Sequence, residues 1–237
     1  MANNYFRFRQ FTIYQDRSVF RVGTDGVLLG ACSDLSAGSR ILDVGTGSGL
    51  IAIMAAQRTS GRIVAIEPDH DAFLQAAENI GNTAWKDRIE LLELSLQDYC
   101  RKTRLRFGTI LSNPPYFRNS LKSPDPARSG SRHNDTLSSR DLLEGSSVLL
   151  TEEGSLQVIL PYAEGNLFIA EAVESGLFCT GIIKVKPKPS GAVKRLILKF
   201  ERHRKSVREK FLTIETGIRH QYTEEYKEIT KEFYLQF

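Results

Sequence analysis

LDVGTGSG, residues 42–49, ends a short apolar run and places three glycines before an apolar segment with helical spacing. Asp43 lies at the end of the predicted strand, and Gly45, Gly47 and Gly49 follow it. Glycines permit a tight turn and allow a ligand to approach the backbone closely. A nicotinamide fingerprint reads G-x-G-x-x-G, and its third glycine would fall on Leu50. The G-x-G-x-G spacing therefore disfavours a dehydrogenase.

Strands and helices alternate on both sides of this turn. Predicted strands cover residues 40–45, 62–68, 88–95, 107–113 and 154–161. Predicted helices cover residues 48–59, 69–82 and 138–150. Apolar strands separated by helices indicate an α/β fold with a parallel sheet covered on both faces. Residues 177–187 and 192–203 alternate apolar and basic side chains, which predicts an antiparallel pair at a sheet edge.

Two acidic residues follow the next two predicted strands. Glu67 ends the second strand, 22 residues after Gly45. A carboxylate at this point accepts ribose hydroxyls in dinucleotide folds, so Gly45, Gly47 and Glu67 together indicate a ligand site. Asp98 follows the third strand. It either accepts a hydrogen bond from an adenine amino group or caps a local turn, and the sequence leaves both readings open.

The stretch SNPPY, residues 112–116, follows a further apolar run. Proline has no amide hydrogen and stops a sheet ladder, so one reading is a rigid turn at a strand end. In the other reading the turn fixes a hydrogen-bond acceptor, the Asn113 carboxamide, under a flat substrate. Pro114 and Pro115 restrict the backbone, and the ring of Tyr116 stacks on a flat substrate.

Composition excludes several classes of protein. The 237 residues are 41% hydrophobic and 25% charged, enough for a sizeable core. No window of eighteen apolar residues predicts a membrane span, and the N-terminus lacks the apolar core of a signal peptide. Cys32, Cys100 and Cys179 are isolated, which argues against a disulfide framework or a zinc cage. We therefore expect a cytoplasmic protein without a metal or a membrane partner.

Basic residues concentrate in two regions. The net charge is only +4, but residues 184–210 contain eleven Lys and Arg against two Glu, and the segment after SNPPY is also basic. Like charges gathered in this way indicate a polyanionic partner, although an ordinary solvated strand face has a similar composition. The candidate contacts with a polyanion are Arg118, Lys122, Arg132, Lys194, Arg195 and Lys199, which the family resemblance described next makes candidate RNA contacts.

The glycine turn, Glu67, Asp98 and NPPY, in this order, resemble the class I S-adenosylmethionine-dependent methyltransferases. NPPY is similar to the N/D-P-P-Y/F signature of enzymes that methylate exocyclic or amide nitrogens. Residues 7–32 and 224–237 extend the resemblance to the bacterial tRNA(Val) (adenine-37 N6)-methyltransferase family. It implies a Rossmann-like, mostly parallel seven-stranded sheet with an antiparallel C-terminal strand pair. Residues 1–237 would form one domain, with 1–38 as an N-terminal extension and cap helix and 39–237 as the core.

The resemblance also implies a reaction and a set of site residues. The chain would transfer a methyl group from S-adenosylmethionine to N6 of adenine-37 in tRNA, as a monomer, leaving S-adenosylhomocysteine. Gly23 and Thr24 would lie near the methionine end of the cofactor, and Thr24 or Asp25 would cap a helix. The implied cofactor-binding residues are Gly23, Thr24, Asp43, Gly45, Gly47, Gly49, Glu67, Asp98 and Asn113. The implied catalytic residues are Asn113, Pro114, Pro115 and Tyr116.

Three alternatives stay open. Glutamine N5 methylation of a release factor uses the same signature, but such enzymes normally carry a helical domain before the core, and only about forty residues precede LDVGTGSG. Methylation of a DNA adenine or an rRNA base has the same amine chemistry. A non-catalytic RNA-binding protein with a cofactor pocket is the third, and the intact NPPY argues against it.

Overall fold

The computed structural model describes residues 3–17, 21–35, 38–115 and 137–235. The strands are β1 (Tyr5–Arg7), β2 (Thr12–Tyr14), β3 (Ile41–Val44), β4 (Ile63–Ile66), β5 (Ile89–Leu92), β6 (Phe107–Ser112), β7 (Leu150–Pro161), β8 (Phe178–Lys186), β9 (Arg195–Glu201) and β10 (Arg208–Thr213). The helices are α1 (Thr24–Cys32), α2 (Leu50–Arg58), α3 (His70–Gly81), α4 (Leu96–Lys102), α5 (Ser139–Leu149), α6 (Tyr162–Ala172) and α7 (Glu224–Thr230).

One large sheet has the strand order β10-β8-β9-β7-β6-β3-β4-β5. Its pairs are parallel except those of β9, which runs antiparallel to β7 and β8. From β3 the chain builds β4 and β5 on one side and then crosses to β6 on the other. Ligands of open α/β sheets bind where the strand order reverses in this way, at the carboxyl ends of the strands. The topology therefore directs attention to the ends of β3 and β6.

The predicted α/β fold with a mostly parallel sheet is confirmed, and two details are corrected. The sheet has eight strands among the described residues instead of seven, because β10 pairs in parallel with β8. The antiparallel pair β8–β9 exists, but it does not lie at the edge, since β9 sits between β7 and β8 while β10 forms the edge. Alternation of side chains predicts a strand, whereas it holds no information about which neighbours a strand acquires.

Two hydrophobic clusters cover the two faces of the sheet. One joins α1, α2 and α7 to the sheet through residues such as Leu28, Ile53 and Tyr226. The other joins α4, α5 and α6 to the sheet, with Phe168 stacked edge-on against Phe200 of β9. Helices on both faces of a parallel sheet exclude water from the strands, which explains why these strands are continuously apolar.

Helix α1 begins differently from the prediction. Its N-cap is Gly23, with no side-chain cap, so the prediction that Thr24 or Asp25 caps the helix is wrong. The Asp25 carboxylate instead accepts a hydrogen bond from Arg195 Nε at 2.7 Å. This ion pair is three-quarters buried and connects the start of α1 to β9. Gly23 and Thr24, at the very start of α1, are exposed to solvent.

Candidate active site

Three candidate residues lie in one row at the carboxyl ends of adjacent strands. Asp43 of β3 is in register with Ala65 of β4 and with Leu111 of β6. If this register is continued by two residues past the paired positions, Glu67, Gly45 and Asn113 follow at neighbouring strand ends. Strands are about 4.8 Å apart, so Glu67 and Asn113 stand roughly 10 Å from each other on the two sides of Gly45. The sequence-predicted residues thus meet at the switch point of the sheet.

The glycine turn between β3 and α2 is built from left-handed residues. Gly45, Gly47 and Gly49 have φ of 69°, 57° and 83°. The Gly45 and Thr46 amides both donate to the Ile66 carbonyl, at 3.0 and 3.1 Å, which fixes the turn against β4. A Cβ atom at Gly45 would meet no atom within 4 Å, so its backbone borders open space. Gly49 is buried against α3 and serves as the N-cap of α2.

Two carboxylates, of Asp43 and Glu67, accept hydrogen bonds from residues of the glycine turn. Asp43 is fully buried and accepts the Thr46 hydroxyl at 2.5 Å. Burial raises the pKa of Asp43 to about 7, and the Thr46 hydroxyl and Ala52 amide offset part of that effect. Glu67 accepts the Gly47 amide at 2.8 Å through Oε2 and the Asp69 amide at 3.0 Å through Oε1. Burial also raises the pKa of Glu67. Each carboxylate oxygen keeps a second lone pair, so Glu67 retains capacity for ribose hydroxyls.

Asn113 stands beside the first turn of α1. The preceding residue, Ser112, is buried and donates its hydroxyl to the Val44 carbonyl at 2.9 Å, which fixes the end of β6 against β3. Asn113 is half-buried, and its Nδ2 lies 3.9 Å from the position of a Cβ atom at Gly26. Pro114 is buried and Pro115 is exposed. Tyr116, Arg118, Lys122 and Arg132 lie outside the described residues.

Asp98 occupies the first turn of α4, which the sequence analysis did not anticipate as a helix. Its carboxylate accepts the hydroxyl of the N-cap residue Ser95 at 2.9 Å and Arg101 Nη2 at 2.5 Å. The Ser95 hydroxyl and then Arg101 lower the pKa of Asp98. The structure therefore shows the local cap, and the contact with an adenine amino group stays a prediction.

The candidate RNA contacts of β9 differ in their partners. Arg195 is paired with Asp25, and Lys199 Nζ lies 3.1 Å from Asp34 and 3.5 Å from Glu201. Lys194, just before β9, is exposed. Intramolecular carboxylates thus neutralise part of the basic surface, which composition alone does not reveal. The role of all three residues in RNA binding stays a prediction.

Sequence reasoning missed Asn79 of α3. This fully buried amide donates to the Ser48 carbonyl of the glycine turn and to the Tyr14 carbonyl, both at 2.9 Å, and accepts the Tyr14 amide at 2.8 Å. It therefore joins the turn to the β1–β2 hairpin. An amide on the buried face of α3 was the available signal, since buried polar groups need partners.

The site fits S-adenosylmethionine. Gly45 leaves space for a ligand along the backbone, and Glu67 retains acceptors for a ribose. The exposed N-terminus of α1 provides amide donors for a carboxylate such as that of the methionine group. Within the described ranges, no group of three His, Cys, Asp or Glu side chains has a metal-site arrangement. No helix there is long and apolar enough to cross a bilayer. Fold and site together define a class I S-adenosylmethionine-dependent methyltransferase.

Comparisons with known proteins place the chain within this class. Residues 21–166 match the family model "Methyltransferase small domain". Proteins described as tRNA1(Val) (adenine(37)-N6)-methyltransferase include one from Bacteroides fragilis, 43% identical over 100% of both chains. Another, from Trichodesmium erythraeum, is 42% identical over 100% of both chains. The chain belongs to the tRNA1(Val) (adenine(37)-N6)-methyltransferase family.

Solved structures agree on the fold. A predicted O-methyltransferase from Agrobacterium tumefaciens superposes with a TM-score of 0.66 at 20% identity, over 88% of this chain and 96% of that one. A ribosomal protein L11 methylase from Lactobacillus delbrueckii has a TM-score of 0.53 at 19% identity, over 76% and 77%. At these identities the similarity shows the shared methyltransferase fold alone.

Proposed function

We propose that the protein transfers a methyl group from S-adenosylmethionine to N6 of adenine-37 in tRNA(Val). The observation that carries the proposal is the position of Asn113, half-buried at the end of β6, beside Gly45 and the first turn of α1. The sequence identity of 42–43% with tRNA1(Val) methyltransferases, which extends over the full length of both chains, supports the choice of substrate. We also propose that residues 1–237 act as one domain and as a cytoplasmic monomer.

The chemistry asks the chain to position a weak nucleophile. The lone pair of an exocyclic amine is delocalised into the ring, so the nitrogen attacks poorly. The Asn113 side-chain oxygen and the Pro114 carbonyl oxygen are proposed to accept its two hydrogens, which favours a pyramidal nitrogen with its lone pair free. Proline fixes φ at both positions of the turn and keeps the carbonyl aimed. S-adenosylmethionine, when bound, supplies a methyl group activated by a sulfonium, so alignment is the main contribution of the protein.

The remaining proposed residues hold the cofactor and the base. Glu67 binds the ribose, Gly45 and Gly47 line the backbone cradle, and Asp43 and Gly49 shape that cradle from inside. Gly23 and Thr24 face the methionine group, and Asp98 faces the adenine of the cofactor. Tyr116 stacks on the target base, while Pro115 stiffens the turn.

The substrate is tested by supplying the purified protein with labelled S-adenosylmethionine and, separately, unmodified tRNA, rRNA, DNA and a release factor. We expect label in tRNA(Val) only, as N6-methyladenosine at position 37 after nucleoside analysis. Label in rRNA, DNA or glutamine would replace the proposed substrate with that alternative.

The catalytic amide is tested by Asn113→Ala. Removing one hydrogen-bonding group that acts in the transition state costs about 10²–10³ in rate, so we expect at least a 100-fold loss of kcat. Cofactor affinity, measured by calorimetry, should change less than threefold. Asn82→Ala, which removes an exposed amide at the end of α3, is the control and should keep full activity. Turnover of Asn113→Ala near the control value would contradict the assigned role.

A further inference from the structure

Exposed aromatic rings and lysine side chains form a line across the ends of β7, β8 and β10. We call Tyr162, Lys194, Lys186, Lys184 and Phe211 the aromatic–basic track. Tyr162 begins α6 and donates its amide to the Lys194 carbonyl at 3.1 Å. The Lys194 amide in turn donates to the carbonyl of Val185, which is also the register partner of Arg195, so the pairing becomes irregular here and Lys194 lies beside the end of β8, where Lys186 follows Val185. Phe211 of β10 is in register with Lys184.

Lys184, Lys186 and Phe211 belong to the same face of the sheet. Residues opposite one another in a sheet point to the same side, and so do residues two apart in a strand. Lys184 and Lys186 both approach the Phe211 ring, with Nζ 5.7 and 5.1 Å from its centroid. This is the face covered by α6, the helix that Tyr162 begins. Arg195 and Lys199 alternate with the inward-facing Leu196, Leu198 and Phe200 of β9 and so point to the other face.

One of the three lysines of the track has a carboxylate partner and two have none. Lys184 pairs with Glu209. Neither Lys186 nor Lys194 has a carboxylate partner among the described residues. Like charges that lie close together repel each other, so an anion over Lys186 and Lys194 would be stabilising. The positive charges of Lys186 and Lys194 are therefore not neutralised by a carboxylate of the described residues, whereas those of Arg195 and Lys199 are.

The aromatic residues of the track are unusually open. Tyr162 is 47% exposed and Phe211 is 54% exposed. The Phe211 ring contacts two lysine ammonium groups and is largely exposed, which suits a stacking base, because every base offers a π face and the nearby cations contact its phosphates. Rings that alternate with cations in this way are typical of single-stranded nucleic-acid sites.

The track leads away from the candidate active site. From β6, which carries Asn113, the sheet continues through β7, β9 and β8 to β10. Four strand spacings, roughly 19 Å, therefore separate Phe211 from the end of β6. A few unstacked nucleotides can cover that distance. Because Tyr162 lies one strand from β6, the track begins next to the proposed target base.

We infer that the aromatic–basic track binds the single-stranded RNA on one side of the target adenine, a conclusion that rests on the proposed function. Bases stack on Tyr162 and Phe211, and backbone phosphates contact Lys186 and Lys194. This assigns the RNA-binding role within the basic C-terminal region to the face with unpaired charges.

Stacking is tested by fluorescence anisotropy of a labelled, unmodified anticodon stem–loop RNA in the presence of S-adenosylhomocysteine. Loss of one stacked base costs 1–3 kcal/mol, so Phe211→Leu and Tyr162→Leu should each raise Kd about tenfold. Phe211→Trp, which keeps an aromatic ring, should bind within about twofold of wild type. Tyr5→Leu is the matched control, since Tyr5 is equally exposed at 47% but lies in the β1–β2 hairpin.

Phosphate contact is tested by the salt dependence of the same binding. Each phosphate contact on a single strand contributes about 0.7 to the slope of log K against log salt, so the double variant Lys186→Gln/Lys194→Gln should lower that slope by about 1.4. Lys86→Gln/Lys102→Gln makes the same change in charge at exposed residues by the amino ends of β5 and β6, and should leave the slope unchanged.

The outcomes separate the track from the proposed function. Unchanged Kd in Phe211→Leu and an unchanged slope in the lysine variant would overturn the track, even if wild type methylates tRNA, and would leave this face to a partner other than RNA. Wild type that binds the stem–loop through the track but transfers no methyl group to tRNA would overturn the proposed function alone. Equal melting temperatures and cofactor affinities across the variants verify that each is folded.

Discussion

Gly45 has a left-handed backbone conformation and also borders the open space proposed for the cofactor. Its φ is 69° and its Cβ position is open, so Gly45→Ala introduces backbone strain and places a methyl group in the proposed cofactor cradle. We expect at least a tenfold loss of S-adenosylmethionine affinity by calorimetry. Left-handed alanine also costs about 1–2 kcal/mol of stability.

Gly38→Ala separates these two effects. Gly38 has φ of 73° and equally open surroundings, but it precedes β3 at the opposite edge of the sheet. It should therefore lose similar stability while keeping full cofactor affinity. Equal losses of affinity in the two variants would mean that strain, and not space at Gly45, governs binding.

The sequence predicts those residues of the site that lie at the ends of strands. Asp43, Glu67 and Asn113 each follow an apolar run, and parallel strands bring such positions to one edge. The sequence did not decide the role of Asp98, because an acidic residue three positions after Ser95 is compatible with a helix cap and with a ligand contact. The pairing of Arg195 with Asp25 spans 170 residues and left no local trace in the sequence.

Among the elements, α3 has a structural role beyond covering the sheet. Asn79 makes three hydrogen bonds, one to the glycine turn and two to β2. Asn79→Ala leaves the Tyr14 amide and the Tyr14 and Ser48 carbonyls without this partner. At about 1 kcal/mol for each bond, we expect a loss of about 3 kcal/mol in urea unfolding and a weaker affinity for S-adenosylmethionine.

Asn82→Ala is the control for this element-scale prediction, because Asn82 is exposed at the end of the same helix. It should change stability by less than about 0.5 kcal/mol. If Asn79→Ala unfolds at the same urea concentration as this control, the hydrogen bonds of Asn79 do not stabilise the turn.

Element type was more predictable than element order. The runs 62–68 and 69–82 correspond to β4 and α3 within a few residues, because periodicity and caps are local signals. The place of β10 beside β8 and the insertion of β9 between β7 and β8 depend on pairings distant in the chain. The β1–β2 hairpin was missed because its strands have three residues each, too few for a pattern.

For the molecule as a whole, the two ends of the chain contribute to one core. The Arg9 amide donates to the Phe233 carbonyl at 2.8 Å, and Arg9 Nε donates to the Tyr234 carbonyl at 2.7 Å. Phe8 is buried and stacks with Tyr234. These contacts join the N-terminal hairpin to the C-terminal segment, so we propose that neither forms a separate unit.

Cooperative unfolding tests this view, since Trp85 is the single tryptophan and its ring meets that of Phe11 edge-on. Its fluorescence should report the N-terminal segment and coincide with far-UV circular dichroism in one transition. Phe233 is only 2% exposed, so Phe233→Ala leaves a cavity in the core. We expect the free energy of unfolding to fall by about 3–5 kcal/mol and the midpoints of both transitions to fall together. Leu235→Ala, at a residue 48% exposed, should shift neither. A fluorescence change that precedes the loss of helix would mean that the hairpin detaches first, and the extension would then be a separate unit.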